Sequence, residues 1–230
     1  MASGTAQDDF VSILERFLAQ EVETPAASTP AQEGPPPTLL DLPASLVHTI
    51  LQTARKAGSL DYALAYVLFG AGLSAADMVQ LQRSHHISDD QQQVLLVQGP
   101  QGIRQVPINQ WILGKRYGSY TNNPLTKWLK GRKDEVPALF LDEAGQALTV
   151  PSLQQRWRQW TDQLLTPGGH PPILEQAQQT WCVEMLMRGL SLENLSILTR
   201  QPPSQLQPYA DRAREKVALE QAAQLDRKPQ

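Results

Sequence analysis

The sequence predicts a mainly α protein with a small antiparallel sheet, an α+β class. Three observations lead there. After residue 43, apolar residues recur at three- and four-residue spacing over several stretches bounded by glycines. One segment instead reads VLLVQ (94–98), GPQG (99–102), IRQVPI (103–108), two short apolar runs around a Pro/Gly turn, which is a hairpin pattern. Residues 21–43 hold six prolines among Ala, Ser, Thr and Gln, a composition that packs against nothing and reads as a linker.

Taken in order, DDFVSILERFLAQ (8–20) sets Phe10, Ile13, Leu14, Phe17 and Leu18 on one helical face, with Asp8 and Asp9 suited to its N-terminus. Thirteen residues are too few to hold a helix in isolation, so this one is expected to dock on its own domain or on another chain. PASLVHTILQTARKAG, LDYALAYVLFGAG and SAADMVQLQ follow as three helices separated at Gly58 and Gly72. After the hairpin, Trp111–Trp128 reads as partly helical with a loop at 118–123. ALFLDEAGQALT (138–149) reads as a short strand and a turn at Gly145. PSLQQRWRQWTDQLL (151–165) is a helix opened by Pro151. Trp157 and Trp160, three apart, share its core face. ILEQAQQTWCVEMLMRG forms a helix ended by Gly189, SLENLSILTR another capped by Ser191, and Tyr209 is read as opening a last charged helix. The expected layout is 1–22, an acidic segment with a short amphipathic helix; 23–42, the Pro-rich linker; 43–218, the folded domain; and 219–230, a tail.

Composition narrows the function. A single cysteine, Cys182, excludes a disulfide framework and a cysteine-based metal cluster, and between Trp181 and Val183 it reads as a small buried residue. No apolar run approaches a membrane span, and MASGTAQDDF is not a signal-peptide pattern, so a soluble cytoplasmic protein is expected. His85-His86 lie in a turn without partners, and no metal or cofactor is expected. The net charge of −3 hides an asymmetry: residues 1–44 carry seven acids against one base. From Gln91 to Lys133 there is no Asp or Glu but seven bases, Arg104, Lys115, Arg116, Lys127, Lys130, Arg132 and Lys133. Such a stretch marks either a face for a polyanion or a solubilising surface.

The order of elements resembles the catalytic domain of tyrosine recombinases, also called phage integrases, over about Leu42 to Lys216. DYALAYVLFGAGLSAADMVQLQ is similar to the family's helix and T-G-L-R-x-S-E-L motif. VLLVQGPQGIRQVPI is similar to its hairpin ending in V-P-L/I. ALFLDEAGQALTVPSLQQRWRQW is similar to the segment whose helix enters the DNA groove, which adds Arg156 and Arg158 to the candidate DNA contacts. QAQQTWCVEMLMRGLSLENLSILTRQPPSQLQPYAD is similar to the stretch that carries the second arginine and the tyrosine nucleophile.

What the resemblance implies about chemistry is then mostly a set of absences. The family's first phosphate-clamping arginine falls on Ser74, and the structural acid of that motif on Asp77. The hairpin turn has no lysine; Arg104 sits where the family has a further basic residue. The H-x-x-R pair falls on Glu175 and Gln178, and a carboxylate at Glu175 repels a phosphate. The late histidine falls on Gln201 counted from Gly189, or on Arg200 counted back from Tyr209. Tyr209 matches the nucleophile. Removing one preorganised donor to a developing oxyanion costs on the order of 10²–10³ in rate, and here several are replaced together. In place of the family's N-terminal clamp domain stands one short helix on a linker, so fewer phosphate contacts are expected.

Three readings follow. The leading one is a DNA-binding protein with a recombinase-like domain that neither cuts nor rejoins its double-stranded partner. The second is a protein-interaction scaffold, in which the tethered Phe10–Leu18 helix holds a partner or a second copy. The third is an active site-specific recombinase using Tyr209 with Arg200.

Overall fold

The computed structural model describes residues 40–110, 114 and 119–225. The amphipathic helix expected at 8–20, with Phe10, Ile13, Leu14, Phe17 and Leu18, lies outside the described residues, as do Lys115 and Arg116.

Helix α1 (Ala44–Ala57) follows Pro43 and buries Val47, Ile50, Leu51 and Ala54 along one stripe. It packs on α2 (Ser59–Ala71), whose residues from Leu60 to Ala71 are almost all buried, as its nearly continuous apolar sequence requires. Gly72 ends α2 in the left-handed conformation, with φ of 57°. A Cβ there would lie 2.3 Å from the Trp181 ring, so glycine is demanded by both backbone and packing. After α3 (Ala75–Gln80) and one 3₁₀ turn, β1 (His86–Ser88), β2 (Gln93–Gly99) and β3 (Gly102–Pro107) form an antiparallel sheet in the order β1-β2-β3. The hairpin stands as the sequence predicts, with Gly99 paired to Gly102. β1 is an addition: it is three residues long with its one apolar side chain, Ile87, exposed, and it is held by pairing His86 to Leu95 and Ser88 to Gln93.

Helix α4 (Pro124–Gly131) starts at an Asn123 cap and packs on α2. The strand expected within 138–149 is replaced by isolated bridges, Gln82 to Ala138 and Leu141 to Ala147, around a turn with Gly145 at φ of 75°. Leu148 N–H still donates to Phe140 O at 3.0 Å, so the segment doubles back without a partner strand long enough to make a ladder. α5 (Val150–Thr161) is capped by Thr149 and carries Pro151 in its first turn. α6 (Glu175–Met187) and α7 (Leu192–Thr199), the latter capped by Ser191, lead to α8 (Pro203–Leu225).

The expected start of the last helix at Tyr209 is corrected: α8 begins six residues earlier and contains Pro208. Pro203 opens it at a position where a missing N–H costs nothing. Pro208 removes one later N–H, and the helix runs through it and past residue 218 to Leu225. The main core joins α1, α2, α4 and α5 with the sheet, and includes Phe69, Trp157 and Trp160. A smaller cluster of Trp181, Cys182, Met185, Leu195 and Leu206 holds α6, α7 and α8 together. Asp41, at the entry to the domain, is clasped by Arg212 at 2.7 Å and Lys216 at 2.8 Å of α8.

Candidate nucleic-acid interface

Ser74 is the N-cap of α3. Its Oγ accepts from the Asp77 amide at 3.1 Å, and it donates to Asp77 Oδ2 at 2.8 Å, closing a capping box. The same carboxylate oxygen accepts from Arg104 Nη2 at 2.9 Å, which staples β3 to α3. Arg104 is therefore committed: its side chain is only 9% exposed. Between the hairpin and the α7–α8 turn lies a cleft of about 690 Å³ lined by Ile103, Arg104, Ile197, Arg200 and Gln201 among others. Arg200 closes α7 in the left-handed conformation, at φ of 59°. Its guanidinium donates to Gln101 O at 3.1 Å, Gln101 Oε1 at 3.2 Å and Ile103 O at 3.2 Å. It thus pins the hairpin from outside and fills outward-facing carbonyls of the edge strand.

The other carried-over positions lie on α6 and α8. Glu175 is exposed at the start of α6 and lines a second cleft, of about 590 Å³, with Trp157, Arg158, Asp162, His170 and Pro172. Gln178 is half-buried one turn further on. Tyr209 is half-buried against the cluster that includes Trp181 and Cys182. Burial raises its pKa, the adjacent Cys182 adds to this, and a hydrogen bond with the Gln179 side chain only partly offsets them. The Cys182 thiol is itself pushed up to about 12 by burial. The environment of Tyr209 thus disfavours the phenolate. Among the described residues, Tyr209 does not line the cleft that brings Arg104, Arg200 and Gln201 together.

The candidate cations separate into two groups. Lys127 and Lys130, one turn apart on α4, and Lys133 just beyond it are exposed and pair with no carboxylate among the described residues. Arg158 on α5 is exposed as well. Three arginines are instead engaged with protein groups. The Arg132 side chain is 3% exposed and is spent on Asp134 and on the carbonyls of Val136, Ala138 and Leu139, where it ties down the segment after α4. Its guanidinium holds the Asp134 carboxyl well below the usual carboxylate range. Arg156 donates to both oxygens of buried Asp61 at 3.0 Å, and Asp61 also accepts from Trp160 Nε1 at 2.9 Å. Arg104 is held by Asp77, as above.

A buried polar relay, unsuspected from the sequence, sets the position of α4. The amides of Leu125 and Thr126 donate to Asn123 Oδ1 at 3.0 and 3.1 Å. Asn123 Nδ2 donates to Gln93 Oε1 at 3.0 Å, which also accepts from Tyr66 OH at 3.0 Å. Gln93 Nε2 then faces His86 Nε2 at 2.7 Å. Asn123 and Gln93 are each 1% exposed. None of these polar residues carries a periodic signal; an Asn before a Pro-led helix is the only hint. His85 is a hydrogen-bonded turn residue, accepting from the Gln82 amide at 3.2 Å. Among the described residues there is no group of three or more His, Cys, Asp or Glu able to hold a metal ion.

No protein-family model matches the sequence, and no curated protein matches it significantly. Solved structures do. XerA recombinase aligns over 85% of this chain and 68% of its own, with a TM-score of 0.62 and 16% identity. This chain has the tyrosine recombinase and integrase fold. XerH site-specific recombinase, bound to a palindromic difH substrate, aligns over 85% of this chain and 55% of its own, with a TM-score of 0.61 and 14% identity. The Tn1549 transposon integrase in complex with transposon right end DNA aligns over 81% and 67%, with a TM-score of 0.58 and 16% identity. The chain thus spans about two thirds of the first of these and little over half of the second. Identities this low establish the fold and leave chemistry to the residues. Among the described residues, no helix is long and apolar enough to cross a membrane.

Proposed function

We propose that this chain binds double-stranded DNA through the face of α4 and the residues after it, and that it does not break or rejoin strands. The observation that carries the reading is the set of exposed lysines Lys127, Lys130 and Lys133, unpaired within an acid-free stretch on a fold whose solved examples include DNA complexes. Arg158 extends the set. Arg104, Arg132 and Arg156 contribute by holding β3, the segment after α4, and α5 in place. Catalytic loss is supported by what stands at the carried-over positions: a helix cap at Ser74, an exposed carboxylate at Glu175, an amide at Gln178, and a tyrosine whose surroundings raise its pKa. In this reading residues 43–218 are the DNA-binding domain, 1–22 a tethered helix and 23–42 its linker, and the protein works in the cytoplasm.

The test is fluorescence anisotropy on a mixed-sequence duplex at several salt concentrations. Each phosphate contact adds about 0.9 to the log–log salt slope, so three lysines account for about 2.7, or roughly 40-fold in affinity between about 50 and about 200 mM salt. Replacing all three with Glu should remove at least that slope. A triple variant with unchanged affinity and slope refutes the assignment.

A second reading is favoured by one observation. Ile103 and Ile197, 59% and 66% exposed, flank the cleft around Arg200, an apolar presence that suits a protein partner better than a phosphate backbone. Substituting both with Ser and measuring duplex affinity separates the two: an unchanged value leaves this cleft to a protein partner.

A further inference from the structure

The relay beneath α4 dictates which atoms carry protons. Backbone amides of Leu125 and Thr126 fix Asn123 Oδ1 as an acceptor, so its Nδ2 points the other way and donates to Gln93. Gln93 Oε1 takes that proton and the Tyr66 hydroxyl's, so Gln93 Nε2 must donate toward His86. His86 Nε2, 2.7 Å away, therefore has to be the bare nitrogen of a neutral ring. The chain of assignment starts in the peptide backbone and ends on the one member that titrates near neutrality.

We propose that His86 is an acid-sensitive latch on the lysine-bearing helix: protonating its ring sets two N–H donors against each other at Gln93, breaks the relay, and uncaps α4. This rests on the DNA-binding reading of α4 and assigns it a regulation. α4 has eight residues, too few to persist without its cap and its packing. Asn123 also donates to Ser119 O at 3.1 Å and Tyr120 O at 2.8 Å, and Ser88 Oγ to Tyr120 O at 2.7 Å, so a shift at Gln93 reaches the turn before α4 as well.

The ionisable groups around the ring come from α2, the turn before α4 and the segment of His86 itself. β2 carries none. α2 presents Tyr66, whose pKa burial raises above the ordinary tyrosine value, and the turn before α4 presents Tyr120. Flanking His86 on its own segment, His85 accepts from the Gln82 amide, and Asp89 accepts from the amides of Gln91 and Gln92 at 2.8 Å each. Burial lowers the His86 pKa below its ordinary 6.5. Between the two values the unfolded chain binds a proton that the folded chain refuses, so the stability supplied by the relay is complete above 6.5 and is lost as pH falls through the folded value.

The sign of the effect distinguishes it from ordinary electrostatics. Acidification adds positive charge and on polyelectrolyte grounds tightens DNA binding, whereas the latch loosens it. The experiment measures duplex affinity at fixed salt at about pH 7.5 and about pH 5, and in parallel the exchange of the Leu125 and Thr126 amides corrected for intrinsic rate, in the full chain and in His86→Gln. The glutamine keeps an acceptor and does not titrate; His86→Asn is the second variant. Wild type should lose affinity about fivefold on acidification, the ratio that loss of a helix N-cap corresponds to, with faster exchange at both amides, and His86→Gln should show neither. Exchange that ignores pH overturns the latch. Exchange that responds while affinity does not overturns its coupling to DNA. Absence of duplex binding at neutral pH overturns the DNA-binding reading and with it the proposed regulation, while the exchange data still report whether the cap opens.

Discussion

Replacing Arg156 with methionine tests whether α5 contributes a cation to DNA or a strut to the core. In the structure its Nη1 reaches both oxygens of Asp61, while Nη2 reaches Glu143, whose side chain is 92% exposed, at 3.4 Å. The Asp61 side chain is 8% exposed, and Trp160 is its other donor. Methionine keeps the stem and removes the charge, leaving a buried carboxylate with a single neutral partner. Breaking a buried pair in this way costs about 3–5 kcal/mol. Against a domain stability of about 5–15 kcal/mol that is a large share. At about 2–4 °C per kcal/mol for a domain of this size, melting should fall by roughly 6–20 °C. The assay is thermal and urea unfolding beside a salt titration of duplex binding. A variant that melts like wild type but loses about one unit of salt slope would refute the strut and return Arg156 to the DNA-contacting set.

Gly72→Ala should destabilise by about 2–5 kcal/mol, combining about 1–2 for a left-handed non-glycine residue with about 1–3 for driving a methyl group into Trp181; urea unfolding reads it. Asp41 is pushed up by burial but held below its ordinary 3.8 overall by Lys216 and Arg212. Its contribution is therefore complete above pH 3.8 and lost as pH falls through the lower folded value, and Asp41→Asn should flatten that acid limb in a series of urea midpoints. Ser74→Arg should cost about 1 kcal/mol through loss of the N-cap and should yield no covalent protein–DNA adduct at Tyr209 when incubated with nicked duplex; an adduct would show that the site lacks only its first arginine.

Much of the fold was legible because its elements announce themselves locally. The apolar run of α2, the Gly-Pro-Gln-Gly turn, Pro151 and the Ser191 cap each fix an element from a few residues. What was not legible is what depends on distant partners. The stretch from Gln91 to Lys133 is free of acids along the chain but not in space, since Arg104 finds Asp77 and Arg132 finds Asp134. Arg156 finds Asp61 across 95 positions. A one-dimensional charge run therefore overstated the exposed cations and left Lys127, Lys130 and Lys133 as its exposed lysines among the described residues. β1 and the relay were invisible for the converse reason: His86, Gln93 and Asn123 are polar, and polar residues are read from sequence as surface. The last helix starts six residues before Tyr209 because Pro203 occupies a first-turn position.

The corner from Gly72 to Asp77 is held by packing and by capping. Gly72 is required by Trp181 and by its backbone, whatever stands two residues later. At position 74 the backbone has the extended geometry of an N-cap, where a short oxygen-bearing side chain satisfies the Asp77 amide and an arginine does not. Asp77, closed against Ser74 on one side, turns the same oxygen to Arg104 and so fixes the hairpin. With Arg200 pinning that hairpin from the far side, the two guanidiniums nearest the cleft are engaged in holding protein to protein. On the DNA-binding reading, the cations left to meet a polyanion are the exposed Lys127, Lys130, Lys133 and Arg158, and the relay that ends on His86 lies beneath the first two.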